Sequence, residues 1–505
     1  MMKSKLTLLL FLVLAGIFAT AQNQGRVFDV KTFGAKGDGT TLDSPSIDKA
    51  ITAANEAGGG TVYFRAGTYL SYTIHMKSNV TLFIDAGATI LAADSTGYDA
   101  PEANEWMKYQ DFGHSHWQNS LIYGENLKNI AILGQGMIYG KGLVREGDRK
   151  PIGTGNKAIS LKNCINVDLR DFTILFGGHF GILATGVDNF TIDNLKIDTN
   201  RDGMDIDCCR NVKVSNCSVN SPTDDGICLK ACYSLGKFKD TENVTITNCF
   251  VSGYDTGTML DGTNQKIKNG AKNPTGRIKF GTESSGGFKN ITISNCVFEY
   301  CRGLALETVD GGLLEDVSIT NVTMRNIVNC PIFLRLGSRM RSPEGTPIGE
   351  LRRINISNFV VYNADPRYAS IISGIPGHDI KDVKLHDIRI FYQGGGTKEQ
   401  AALDPAENEN KYPEPSMFGD IPGYGFFIRH VSGLEMSNVE VSYMKDDARP
   451  AFWMNDVKGA DFINLKAQHA VGTPIFVMKD VTDFSTFRCK DLKDVVLKQI
   501  TTKSL

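Results

Sequence analysis

A short unit recurs along this chain: Asn, apolar, polar, aliphatic, polar, Asn. It reads Asn189-Phe-Thr-Ile-Asp-Asn194, Asn211-Val-Lys-Val-Ser-Asn216, Asn243-Val-Thr-Ile-Thr-Asn248 and Asn290-Ile-Thr-Ile-Ser-Asn295. Weaker copies begin at Asn129 and Asn166 and, later, at Asp316, Arg353 and Asp382. The closest copies lie 22 residues apart, and insertions spread the others. A unit this short cannot bury a core alone, so each must stack on its neighbours. Alternation with period two means strand rather than helix. Asn at the corners tolerates left-handed turns and can ladder its side chain with the next copy. The pattern predicts an all-β parallel β-helix with coils about 4.8 Å apart. A leucine-rich solenoid is the rival, but its Leu spacing is missing.

The two ends differ from the repeats. Lys3 and Lys5 precede the apolar run Leu6–Phe18, and Ala19-Thr20-Ala21 supplies small residues before a cut ahead of Gln22. Residues 1–21 are therefore expected to be a signal peptide, with the product periplasmic or extracellular. No other apolar run approaches a membrane span, so no membrane insertion is expected. Residues 44–57 carry Ile47, Ala50, Ile51 and Ala54 on one face of an amphipathic helix that would cap the first coil. The Gly58-Gly-Gly60 turn that follows lacks the Lys-Ser/Thr of a phosphate loop. One β-helix domain is expected over 22–490, interrupted by a long loop at 391–423, with a C-terminal tail at 491–505.

Composition excludes some classes. A net charge of −2 gives no electrostatic footprint for nucleic acid. The 11 cysteines show no zinc spacing and no C-x-x-C pair. Cys217, Cys249 and Cys296 each follow an Asn in the same repeat phase, so they are expected to be stacked, buried thiols.

The chemistry gathers at residues 200–230. Asn200-Arg-Asp-Gly203 and Thr223-Asp-Asp-Gly226 each precede a short alternating run. Adjacent strands in register would bring Asp202, Asp224 and Asp225 together. Carboxylates that close cannot all stay ionised, which raises at least one pKa. An acid beside a base is the arrangement that glycosidic hydrolysis needs. Asp-Gly turns alone would explain Asp202-Gly203 or Asp225-Gly226, but not the adjacent pair of like charges.

Phe33-Gly-Ala-Lys-Gly-Asp-Gly39, Gly59-Gly-Thr-Val-Tyr-Phe64, Ser78-Asn-Val-Thr-Leu82, the Asn-x-Asp-Gly motif and the Asp-Asp pair together resemble glycoside hydrolase family 28. These are the polygalacturonases and rhamnogalacturonases of pectin breakdown, and the similarity covers roughly residues 27–390. The resemblance implies a right-handed β-helix and inverting hydrolysis of a polysaccharide, with no cofactor and no metal. It makes Asp224 the acid and Asp202 and Asp225 the pair that acts on water.

Two family motifs are absent. The register puts Thr275 where a Gly-His-Gly histidine would lie, and Ala305 and Glu307 where a binding Arg and Lys would lie. Arg277-Ile-Lys279 falls one coil early. Without that basic pair a uronate carboxylate is poorly held, which favours rhamnogalacturonan-type substrates over plain polygalacturonate. Strand alternation predicts an outward column of Asp205, Cys228, Lys279 and Ala305. The next column holds Asp207, Lys230, Gly281, Glu307 and Arg335. Asn200, His179, Lys230, Lys279, Glu283 and Glu307 are the substrate-binding candidates, although Glu307 pairing with Lys230 or Arg335 is the structural alternative. Trp106, His114, His116 and Trp117, and later Tyr412 and Tyr424, are candidates to wall the cleft. A calcium-dependent lyase or epimerase and a non-catalytic carbohydrate-binding β-helix remain as other readings. Oligomeric state is not legible.

Overall fold

The repeat corners are built from residues held at positive φ. In the computed structural model, which describes residues 26–111, 113–145, 151–267 and 274–505, Asn79, Asn129, Asn166, Asn189, Asn211, Asn243 and Asn290 all have φ between 54° and 62°. Each Nδ2 from Asn129 onward donates to the Oδ1 one coil earlier, at 2.8–3.0 Å. Asp316, Arg353 and Asp382 hold the same conformation where the Asn stops. The ladder satisfies amides that would otherwise compete with the strands.

Between corners the chain runs as three short strands per coil. One coil is β1 (Phe180–Thr185), then Asp188–Asp193 and Lys196–Asp198. The next is β2 (Asp202–Asp207), then Arg210–Ser215 and Ser218–Asn220. First strands of later coils are β3 (Ile227–Ala231), β4 (Ile278–Ser284), β5 (Leu304–Thr308) and β6 (Ile332–Leu336). Successive coils pair in parallel, making a right-handed parallel β-helix. Inward residues stack in rows, such as Ala184, Ile206, Leu229, Phe280, Leu306 and Leu334, which form one continuous buried core.

Helix α1 (Ser44–Glu56) buries Ile47, Ala50, Ile51 and Ala54 and packs on the first strands, as the amphipathic pattern predicts. Residues 495–504, within the segment read from sequence as a tail, form a strand antiparallel to Phe476–Phe487. That strand covers the last coil's open edge. The signal-peptide reading of residues 1–21 lies outside the described residues. Among the described residues no helix is long and apolar enough to cross a membrane. All 11 cysteines are buried free thiols, and Cys217, Cys249 and Cys296 stack in one column.

Two excursions cover the outward face of the sheet that carries β1–β6. Near the N-terminal end, Trp117 packs on Phe180 and Leu183, and its Nε1 donates to Thr185 Oγ1 at 3.0 Å. Toward the C-terminal end, Phe418 and Ile421 from the 391–423 loop pack on Phe333, Ile371, Phe427 and Trp453. Phe391–Gly394 still belong to the strand Ile380–Gly394, so the excursion begins after it. Between these two apolar plugs the outward column is Asp205, Cys228, Lys279 and Ala305, in the register expected. Between the plugs the outward face carries buried charged side chains, Asp205, Lys230, Lys279 and Glu283, in place of apolar ones.

Candidate active site

Asp202 opens β2, and Asp225 lies two residues before β3, with Gly226 between them. Neither following glycine makes a left-handed turn. They are required by close stacking: a Cβ on Gly203 would come 2.3 Å from the Gly226 carbonyl oxygen, and one on Gly181 would come 2.5 Å from that of Gly203. This column of glycines lets the coils nest, so the carboxylates beside them converge. One oxygen from each of Asp202, Asp224 and Asp225 lies within 4.8 Å of the others.

The three are not equivalent. Asp224 keeps 29% of its side chain exposed, whereas Asp202 keeps 4% and Asp225 2%. Arg201 spans two of them, with Nη1 3.1 Å from Asp202 Oδ2 and Nη2 2.9 Å from Asp224 Oδ2. Burial, then the charges of Asp224 and Asp205, push the Asp202 carboxyl well above its usual range despite Arg201. Asp225 goes the other way. Burial opposes its charge, but Lys279 at 3.4 Å and Arg277, whose Nε donates at 2.9 Å, hold it below the usual carboxylate range. Of the two residues read from the resemblance as acting on water, only Asp225 is thus held ionised. The site contains a carboxyl that favours a proton beside one that refuses it.

The remaining candidates are distributed differently from the sequence reading. His179 is buried and does not face an open cleft. Its Nδ1 donates to the Arg145 carbonyl at 2.6 Å, and its Nε2 meets Arg201 Nη1. Burial and the Arg201 charge lower its pKa to about 2, so a neutral imidazole positions Arg201. Asn200 is half-buried; its Oδ1 accepts from Thr199 at 3.4 Å, and its carbonyl accepts from Thr223. Lys230 and Glu283 are buried and pair with each other at 2.9 Å. A register shift after Leu229 brings Glu283 rather than Glu307 opposite Lys230. Glu307 pairs with neither Lys230 nor Arg335. It lies 3.6 Å from Lys279, and Arg335 donates to Ser373 and to loop carbonyls instead. Burial raises Glu307 to about 7 against the pull of Lys279 and Arg277. Lys279 is itself buried, beneath the ring of Tyr412 at 5.5 Å.

The expected wall residues also divide. Trp117 is a buried packing residue, and Tyr424 is buried in the core. His116 Nδ1 lies 2.7 Å from the Glu102 carbonyl oxygen. His114 braces the site from outside, with Nε2 2.8 Å from Asp205 Oδ2. Trp106 stacks edge-on against Tyr233. Tyr412, 49% exposed, stands over Lys279 and Arg339.

Sequence reasoning missed three partners. Arg201 fills the variable position of its own motif, which carries no signal in one sequence. Arg277 lies one coil early, as read, yet that coil puts it directly on Asp225. Glu414 comes from the distant loop, and its Oε1 accepts from Arg277 Nη2 and, at 2.9 Å, from Arg302 Nη1. A trio of carboxylates is also a possible cation cage, but here Arg201, Arg277 and Lys279 already supply fixed positive charge to it. A separate hollow of about 460 Å³, lined by Arg389, Glu440, Lys466, Arg488 and Lys490 among others, includes none of the three aspartates.

Comparison with known proteins agrees with this architecture. Residues 27–183 match the family described as "Rhamnogalacturonase A/epimerase, pectate lyase-like", and 157–236 match "Right handed beta helix region". An exo-poly-alpha-D-galacturonosidase of Dickeya chrysanthemi is 35% identical over 131 residues, which is 25% of this chain and 21% of that protein. A probable polygalacturonase of Vitis vinifera is 22% identical over 421 residues, covering 78% of this chain and 80% of that one. The family 28 exopolygalacturonase structure of Yersinia enterocolitica superposes with a TM-score of 0.62 at 17% identity, over 88% of this chain and 79% of that chain. Fold and matched segments together make this chain a right-handed parallel β-helix protein that is similar to the polygalacturonases.

Proposed function

We propose that this protein is an exported glycoside hydrolase that cuts O-glycosidic bonds in pectic polysaccharide. The observation that carries the reading is the convergence of three carboxylates that differ in burial and in countercharge, with Asp224 alone partly accessible. Asp224, the accessible member, relays to the leaving oxygen the proton that the Asp202–Asp224 pair, bridged by Arg201, holds in the resting site. Asp225, kept ionised by Arg277 and Lys279, takes the proton of the attacking water. Asp202, raised by burial and by Asp224, holds a proton in the resting site, and Arg201 keeps both carboxyls on one guanidinium.

The stereochemistry is inverting in this reading. The oxygens lie closer than the roughly 6.5–9.5 Å common between acid and base in inverting enzymes. Inversion is kept in this reading as what the resemblance to glycoside hydrolase family 28 implies. Proton NMR of the first product tests this: the anomer opposite to that of the cleaved bond is expected, and a retained anomer refutes inversion.

The substrate class is rhamnogalacturonan or a related galacturonate-containing glycan rather than plain polygalacturonate. Ala305 and Glu307 stand where a basic pair is absent, and Lys279 is neutralised by Asp225 and Glu307. Chromatographic product analysis over a panel of pectic oligosaccharides, with and without chelator, is the test. Saturated fragments formed in chelator, fastest from rhamnogalacturonan, are expected. Unsaturated or chelator-sensitive products would favour a lyase, and binding without release would favour a carbohydrate-binding role.

A further inference from the structure

Glu414 sits in Tyr412-Pro-Glu-Pro415, with φ −133° and ψ 145° at Glu414 itself and its N–H donating to the Tyr412 carbonyl at 3.0 Å across Pro413. The Tyr412 ring lies over Lys279 at 5.5 Å and the Glu414 carboxylate reaches Arg277, so both side chains descend onto the site. The carboxylate meets two guanidinium groups from successive coils: Arg277 at the start of β4 and Arg302 just before β5. Two arginines converging on one carboxylate oxygen form a carboxylate site. Arg277 also donates to Asp225, which puts that site one side chain away from the reacting water. Burial opposes the Glu414 charge, and Arg277, Arg302 and Lys279 overcome it, so the residue stays ionised.

We propose that Glu414 is an internal stand-in for a uronate carboxylate, and that it sets specificity by filling the acidic-sugar subsite beside the catalytic aspartates. A sugar acid entering there would meet Glu414, Glu307 and Asp225 with its counter-cations already occupied. A neutral sugar meets no such penalty. This is discrimination by repulsion and by occupancy. The inference rests on the hydrolase reading for its context and names which part of a pectic chain that site rejects.

The loop does not depend on Glu414 for its attachment. Phe418 and Ile421 are buried in the outer apolar cluster, and Arg335 donates to the carbonyls of Glu407 and Asn408 at 3.2 and 3.4 Å. Replacing the carboxylate therefore leaves the loop seated and uncovers Arg302, which is already 21% exposed.

The test is calorimetric binding of digalacturonate and of its neutral methyl ester. In the wild-type protein the methyl ester binds more tightly than the acid. Glu414→Gln and Glu414→Ala each raise affinity for the acid about tenfold, the scale of one charge-assisted pair, and leave the ester unchanged. Adding Arg302→Met to Glu414→Gln abolishes the gain. Asp404→Asn, which breaks a different loop ion pair, changes neither ligand. Tighter wild-type binding of the acid, equal gains for acid and ester, or a gain that survives Arg302→Met each overturn the proposal. Hydrolysis is scored separately on the pectic panel. A binding gain with no cleavage of any substrate would refute the hydrolase reading and leave the subsite assignment standing.

Discussion

The asparagine corner and the aspartate face are products of the same stacking, with opposite results. At the corner, Asn189, Asn211 and Asn243 each donate to one copy and accept from another, and Asn290 donates to Asn243. Repetition there satisfies every amide, so the register stabilises itself. On the face, the same register stacks Asp202 against the Asp224–Asp225 coil, and repetition brings like charges together. Countercharge must come from elsewhere: Arg201 within the motif, Arg277 and Lys279 one coil on, and Glu414 from a distant loop to balance Arg277. A stacked neutral amide is structure, whereas a stacked charge stores a difference in proton affinity.

The largest expected effect comes from cancelling that difference. Asp224→Asn or Asp225→Asn should lower kcat by roughly a hundred- to ten-thousand-fold while leaving thermal unfolding close to wild type. Steady-state kinetics beside calorimetry would show the split, and substantial activity in Asp224→Asn would undo the acid assignment. The corner should behave in reverse. Asn211→Ala removes two ladder bonds and places Ala at φ 56°, so about 1–3 kcal/mol of stability should be lost. Activity per folded molecule should not change, and an unchanged denaturant midpoint would contradict the ladder's role.

A smaller effect sharpens the electrostatics. Because Lys279 and Arg277 depress Asp225, the acid limb of kcat/KM should lie below the ordinary carboxylate value of 3.8. Lys279→Met should move that limb upward by about one pH unit or more; an unmoved limb would mean that Asp225 is not the base it reports. Smallest is the Glu307 signal in stability. Its folded pKa is raised from 4.5 to about 7, so the native state binds the extra proton in that window. Stability from this group is fully present below pH 4.5, declines as pH rises toward 7, and is flat above. Glu307→Gln should flatten that stretch of the urea-denaturation pH profile, and a wild-type-like slope in the variant would assign it elsewhere.

The coil register, the asparagine ladder, the capping helix and the buried cysteine stack were legible because each is local and repeated. Asp202, Asp224 and Asp225 were legible because two like charges in one dipeptide defy a turn explanation. What escaped came from long reach or local irregularity. Glu414 is 189 residues from Asp225 in sequence, and only the packing of Phe418 and Ile421 brings its loop over the site. Glu283 displaced Glu307 as the partner of Lys230 because the register slips after Leu229. Alternation alone does not foresee such a slip. His179 read as a polar ligand, but it is a buried neutral ring holding Arg201 in place.

Cleavage of a rhamnogalacturonan oligosaccharide in 18O-water, with chelator present, tests the central claim most directly. Water activated at Asp225 and a proton from Asp224 should give saturated fragments with one 18O at each new reducing end, and none with Asp224→Asn. Unlabelled fragments, or fragments ending in a double bond, would contradict hydrolysis by this carboxylate trio.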